Sequence, residues 1–156
     1  MSDSVPLHDA VRGIAPSPET IIERGSHWTI VLNRNQNLLG KVFLWANRPV
    51  EQVIALTDDE WLDLRLQMHR ATLALIKAFQ PDHFNYAFLQ NQDRQVHLHV
   101  IPRYAAPRAF EGLAFSDSDY PNHYAVPSPP RRLDATQMVL LRDLIRASLP
   151  ELSAST

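Results

Sequence analysis

The chain contains no cysteine. That absence excludes disulfide frameworks, thiolate nucleophiles and Cys-ligated zinc together. Glycine is scarce, four in 156 residues and never clustered, so neither a P-loop nor a dinucleotide fingerprint is present. Neither sign of charge is in excess: 15 Lys and Arg stand against 17 Asp and Glu, a net charge of -2. Nucleic-acid binding by bulk electrostatics needs a basic surplus, and that class falls away. No apolar run approaches the roughly 20 residues of a membrane span. Met1 to Pro18 lacks a basic stretch followed by an apolar one, so a cytoplasmic protein is expected rather than a secreted one. What the chain does have is seven histidines and a length suited to one compact domain over 1–156. Histidine is the side chain best matched to chemistry near neutral pH.

The pattern along the chain predicts an α+β domain: a mostly antiparallel sheet with a long helix on one face and a C-terminal helix. The first 18 residues read as irregular, followed by a short helix over Glu19 to Arg24 with Ser17 near its cap. His27 to Asn33 is β-branched and aromatic, a strand, and Lys41 to Ala46 is its antiparallel partner. Thr57 and Glu60 make a capping box for a helix over Asp58 to Phe79, with Leu56 and Trp61 as a hydrophobic staple. Trp61, Leu64, Met68, Ala71, Leu75 and Ala78 trace its expected buried stripe, and Pro81 ends it. Strands follow over His83 to Leu89 and Gln95 to Ile101. Residues 102–130 hold six of the twelve prolines, and 105–133 reads as an irregular excursion. A last helix over 134–149 is capped by Asp134 with Gln137 and buries Met138, Leu141, Ile145 and Leu149.

The chemically informative segment is Gln95-Val-His-Leu-His-Val-Ile-Pro-Arg103. Strict alternation puts Val96, Leu98 and Val100 against the long helix and Gln95, His97 and His99 on the opposite face. Such a face fits three chemistries. It can be a solvated polar surface. It can hold a metal through His97 and His99, although the nearest downstream carboxylate, Glu111, lies beyond two prolines. Or it can act through imidazole itself, with one His held in the right tautomer to attack phosphorus and no metal required.

The segment resembles the His-φ-His-φ-His-φ-φ motif of the histidine triad family of nucleotide hydrolases and transferases. The resemblance extends upstream through Leu32-Asn33, Leu39-Gly40-Lys41-Val-Phe-Leu, Arg48-Pro49-Val50 and the strand ending Phe88-Leu89-Gln90, covering roughly 27–104. It is nearest in character to bacterial members and dinucleoside polyphosphate hydrolases. It implies that His97 is the nucleophile at an α-phosphate and that His99 binds phosphate and stabilises developing charge. It also implies that Asn33 binds ribose hydroxyls and Gln90 contacts phosphate oxygens. Purine nucleotide substrates and a homodimer are further implications, with no cofactor and no resident metal.

Two positions depart from the family pattern. Gln95 stands at the first triad position, where a glutamine can hydrogen-bond but cannot carry a proton or a charge. Lys41 stands where many members place a His on the phosphate side, so a positive charge is retained there. The expected activity is a nucleotide hydrolase or nucleotidyl transferase, with Gln95, His97 and His99 catalytic and Asn33, Lys41 and Gln90 binding the nucleotide. A nucleotide-binding protein of the same fold with little turnover is the alternative that Gln95 raises. The other histidines, His8, His27, His69, His83 and His123, have no evident partner and are left outside the site.

Overall fold

The computed structural model describes residues 14–124 and 130–152. The expectations for His8 and for an irregular segment before residue 14 lie outside the described residues. Strand β1 spans Ile21–Arg24, β2 Trp28–Leu32 and β3 Val42–Ala46, and after a short 3-10 turn helix α1 runs Asp58–Phe79. Then come β4 (His83–Ala87), β5 (His97–Arg103), β6 (Arg108–Phe110), β7 (Leu113–Phe115) and α2 (Ala135–Ser148). Five strands form one antiparallel sheet in the order β1-β2-β3-β5-β4, and β6-β7 is a separate hairpin. The protein is therefore α+β, with a mostly antiparallel sheet and two helices.

The sheet is two-faced because its strands alternate. Trp28, Ile30 and Leu32 of β2, Val42, Leu44 and Ala46 of β3, and Leu98 and Val100 of β5 join one core with Leu64, Ala71 and Leu75 of α1. The intervening residues of β3 and β5 face the other way and carry the candidate site. Helix α1 starts on the expected capping box: Thr57 accepts from the Glu60 amide at 3.2 Å, and Glu60 accepts from the Thr57 amide at 2.9 Å. It ends where Gln80 turns left-handed (φ 51), with Pro81 beyond.

The helix buries Leu64, Ala71 and Leu75 of its expected stripe, with Met68 and Ala78 half-buried against the core, and departs from it at Trp61. Glu60, not Trp61, takes the inward position, where it binds Arg48 and its carbonyl accepts from the Trp28 indole N–H at 2.8 Å. The buried stripe then runs Glu60, Leu64, Gln67, Ala71, Ala74 and Leu75, and Trp61 stays 42% exposed against the Phe88 edge. The helix expected over Glu19 to Arg24 is instead a turn followed by β1. The Ser17 carbonyl accepts from the Thr20 and Ile21 amides, and Ile21 and Glu23 pair with β2. Four β-branched or charged residues beside an open edge gain more from sheet pairing than from one isolated helical turn.

Two tight features seat the β2–β3 turn against α1. At Gly40 (φ +87) an added Cβ would lie 3.0 Å from Leu75 and 3.1 Å from Phe79, so only glycine fits. Gln36, fully buried, donates to the carbonyls of Asn33 and Lys41 and accepts from the Gly40 amide. Within the stretch expected to be irregular, the β6-β7 hairpin is fastened to the end of α1. Arg108 donates to the carbonyls of Phe79 (2.9 Å) and Gln80 (2.8 Å), and Phe110 and Phe115 enter the core. Two three-residue strands around Glu111-Gly112 give too short a pattern to read in sequence.

Candidate active site

Strands β3 and β5 pair with Phe43 opposite His99 and Trp45 opposite His97. Four rings thus meet on the face turned away from α1. His97 and His99 stand edge to face with centroids 4.8 Å apart, Phe43 lies 5.8 Å from His97, and the Trp45 indole stacks on His97 at 5.8 Å and 27°. Phe43 is fully buried and His97 is 2% exposed.

The orientation of His97 follows from one contact. Its Nδ1 lies 2.6 Å from the backbone carbonyl of Gln95. A carbonyl can only accept, so Nδ1 carries the proton and Nε2 of the neutral ring carries the lone pair. Burial holds the His97 pKa below its ordinary value, against the opposing pull of the Gln95 carbonyl and the Asp93 carboxylate. His99 is pushed down to about 3 by burial, with the charges of His97 and Lys41 adding to the effect. Both imidazoles are therefore neutral at pH 7.

Lys41 immediately precedes β3, and its backbone carbonyl pairs with the Asn33 amide at 3.0 Å. Its ammonium donates to Asn37 Oδ1 at 2.7 Å, and burial lowers its pKa to about 8. It is close enough to His99 to depress that ring's protonation. Asn33 is buried beside it, with its side-chain oxygen accepting from the Asn35 amide at 2.9 Å, the bond of a strand-to-turn asparagine.

The two glutamines are tied to backbone. Gln95 donates to the carbonyls of Ala46 and Arg48, both at 2.8 Å, and accepts from the Val50 amide at 3.1 Å. Its own amide donates to Asp93 Oδ1 at 2.9 Å. Those four bonds fix the peptide whose carbonyl holds His97. Gln90, itself at φ 48, donates to the carbonyls of Glu51 and Arg94 and closes the loop before β5. The structure thus brings His97, His99 and Lys41 together, sets Asn33 next to Lys41, and gives the amides of Gln95 and Gln90 to the surrounding loops.

Sequence reasoning missed Phe43, Trp45 and Asp93. Nothing in Lys41-Val-Phe-Leu-Trp-Ala46 distinguishes its two faces, because both are apolar after Lys41. Only the strand register sets the two aromatic rings against the histidines. Arg103, which ends the histidine strand, points away from solvent. It is 2% exposed, paired with Asp117 and bonded to Asn85 and the Asn122 carbonyl. Among the described residues no group of three or more His, Asp or Glu is placed to hold a metal ion. Among them, too, no helix is long and apolar enough to cross a membrane.

No known family model matches the sequence, and no curated protein matches it. Its fold does match solved structures. A histidine triad protein from Marinobacter aquaeolei is 18% identical with a TM-score of 0.71, over 92% of this chain and 94% of that one. A histidine triad protein from Bradyrhizobium japonicum is 20% identical with a TM-score of 0.68, over 88% and 98%. The diadenosine triphosphate hydrolase of Plasmodium falciparum, solved with cyclomarin A, is 16% identical with a TM-score of 0.63, over 86% and 80%. The chain has the fold of the histidine triad proteins.

Proposed function

We propose that this chain is a histidine triad nucleotide hydrolase or nucleotidyl transferase that works through a nucleotidyl-His97 intermediate. One observation carries the reading: His97 Nδ1 is held at 2.6 Å by the Gln95 carbonyl, which leaves a neutral ring with its lone pair on Nε2. Nε2 attacks the α-phosphorus of a purine nucleotide derivative, a dinucleoside polyphosphate or a nucleoside phosphoramidate. The bond to the leaving group breaks, and water or another acceptor then releases the nucleotide. His99 donates a hydrogen bond to phosphate oxygen, and Lys41 supplies positive charge on the polyphosphate side. Asn33 contacts ribose and Gln90 borders the phosphate site from its loop. Gln95 serves through its backbone carbonyl, which its side chain holds in place.

The hydrolase among the similar folds supports the reading in kind, as a protein of this architecture acting on a dinucleoside polyphosphate. The test is incubation with a labelled dinucleoside polyphosphate. Acid-labile label on the wild type that vanishes in His97→Ala supports the enzyme. A second reading, nucleotide binding with little turnover, is favoured by the absence of a proton-carrying side chain at Gln95. Its signature is tight nucleotide binding with no label and no product.

The same reading includes a homodimer. Strand β4 is an open edge of the sheet, and beside it Leu62 (64% exposed), Leu66 (44%) and Tyr86 (43%) line a groove of about 500 Å³ on α1. A sheet edge next to a helix face that mixes exposed Leu62 and Leu66 with Arg65, His69 and Thr72 suits a second copy related by a two-fold axis.

A further inference from the structure

We infer that the Trp45 indole is a positioning residue for His97, stacking on the imidazole so as to hold its plane and to stabilise the cation it becomes on nucleotidylation. The inference rests on the nucleotidyl-histidine reading above. When Nε2 bonds to phosphorus, the leaving group departs with the bonding pair and takes any proton it needs from solvent. The imidazole keeps its Nδ1 proton, so the ring in the adduct is formally positive. Water then attacks phosphorus, the N–P bond breaks, and the ring returns to neutral with its pair back on Nε2.

A positive ring at this position is costly, because His97 is 2% exposed. Something near it must offset that cost. The charged and titratable groups around it are few. Asp93 approaches from the preceding loop, His99 stands on the same strand, and Lys41, across on the β3 side, acts on His99 rather than on His97. In the plane of the ring the Gln95 carbonyl accepts from Nδ1. Above the plane is Trp45. Of the three rings around His97, only Trp45 is near-parallel, at 27°, whereas Phe43 and His99 stand at 69° and 68°. Its centroid distance of 5.8 Å lies within the roughly 6 Å at which an aromatic face attracts a cation. Indole is the strongest natural ring for this, and its electron-rich face is presented without a proton to transfer.

The same geometry also sets the direction of attack. The Nε2 lone pair lies in the imidazole plane, so a stack that fixes that plane fixes the line along which phosphorus is approached. Trp45 is held for the task by its position in the sheet, since it pairs with Thr29 on one side and His97 on the other.

Fluorinated tryptophans test this without altering shape, because each fluorine weakens the face charge while leaving the ring in place. The full-length protein is prepared with one to three fluorines per indole, and the same series is made in a Trp45→Phe background. Trp28 and Trp61 are substituted in both, but neither has a ring contact with His97. Two quantities are read: the His97 pKa by NMR, and the rate of adduct formation from a labelled dinucleoside polyphosphate. The expected result is a stepwise fall in the His97 pKa and in kcat, with KM unchanged. The total loss of rate should reach about 3- to 30-fold, and the trend should be absent from the Trp45→Phe series. A flat pKa and a flat rate alongside a normal adduct would overturn the role of Trp45 while leaving the enzyme reading intact. An unfluorinated protein that binds nucleotide and forms no adduct would overturn the enzyme reading, and the role of Trp45 with it.

Discussion

His97, His99 and Lys41 share one sheet face, and burial drives each towards its neutral form. For the histidines this suits the proposed chemistry, since a nucleophile needs its lone pair and a neutral His99 can still donate one hydrogen bond. For Lys41 it creates a pH limit. A lysine is charged below its pKa, so with a value near 8 Lys41 is mostly positive at pH 7 and loses that charge across pH 8 to 9. The affinity for a polyphosphate is therefore expected to fall through this range while that for adenosine stays level. Lys41→Arg, which remains charged, should carry the plateau to higher pH, and Lys41→Ala should weaken polyphosphate binding more than adenosine binding. Isothermal titration at pH 7 and pH 9 measures both. Identical profiles for the wild type and Lys41→Arg would place Lys41 outside the binding site.

Strand β5 links the site to the segment that follows it. Its inward face packs on α1, its outward face carries both histidines, and its last residue, Arg103, anchors residues 117–122 through Asp117, with N···O 2.7 Å and both side chains buried. Asp117→Ala leaves a buried guanidinium without its partner and should cost about 3–5 kcal/mol, seen as a lower urea midpoint; a change below 1 kcal/mol would mean that solvent reaches Arg103. Much of this element was legible beforehand. Period-2 alternation from Gln95 to Val100 gives the two faces directly, and Thr57 with Glu60 and Asp134 with Gln137 mark both helix starts by their capping chemistry. Harder to read were features set by partners distant in sequence. The inward place of Glu60 beside exposed Trp61 goes with its pairing to Arg48, the approach of Trp45 to His97 depends on strand register, and the role of Gln95 depends on backbone 45–49 residues away. Local pattern carries none of these, because each is fixed by tertiary pairing.

At the scale of the whole molecule, the described sheet has a face packed on the helices, a face bearing the histidines, and two edge strands, β1 and β4. The edge at β4, with Leu62, Leu66 and Tyr86 beside it, is where a second copy would extend the sheet. The full chain is expected to sediment as a dimer, and Leu66→Glu as a monomer with an unchanged circular dichroism spectrum, because a charge on that face cannot be buried unpaired. A wild-type monomer at the highest soluble concentration would rule the interface out. The near-balanced charge of -2 is compatible with the proposed function, in which an anionic ligand would be met by local groups rather than by a broad basic field.

The account turns on which atom forms the covalent bond. The most direct measurement is to trap the nucleotidyl adduct and locate its phosphorus by peptide mapping and ³¹P–¹⁵N NMR. Linkage to Nε2 of His97 is the predicted result. Linkage to Nδ1 of His97, to His99 or to the Lys41 amine would contradict it, since the Gln95 carbonyl would then not be selecting the nucleophile.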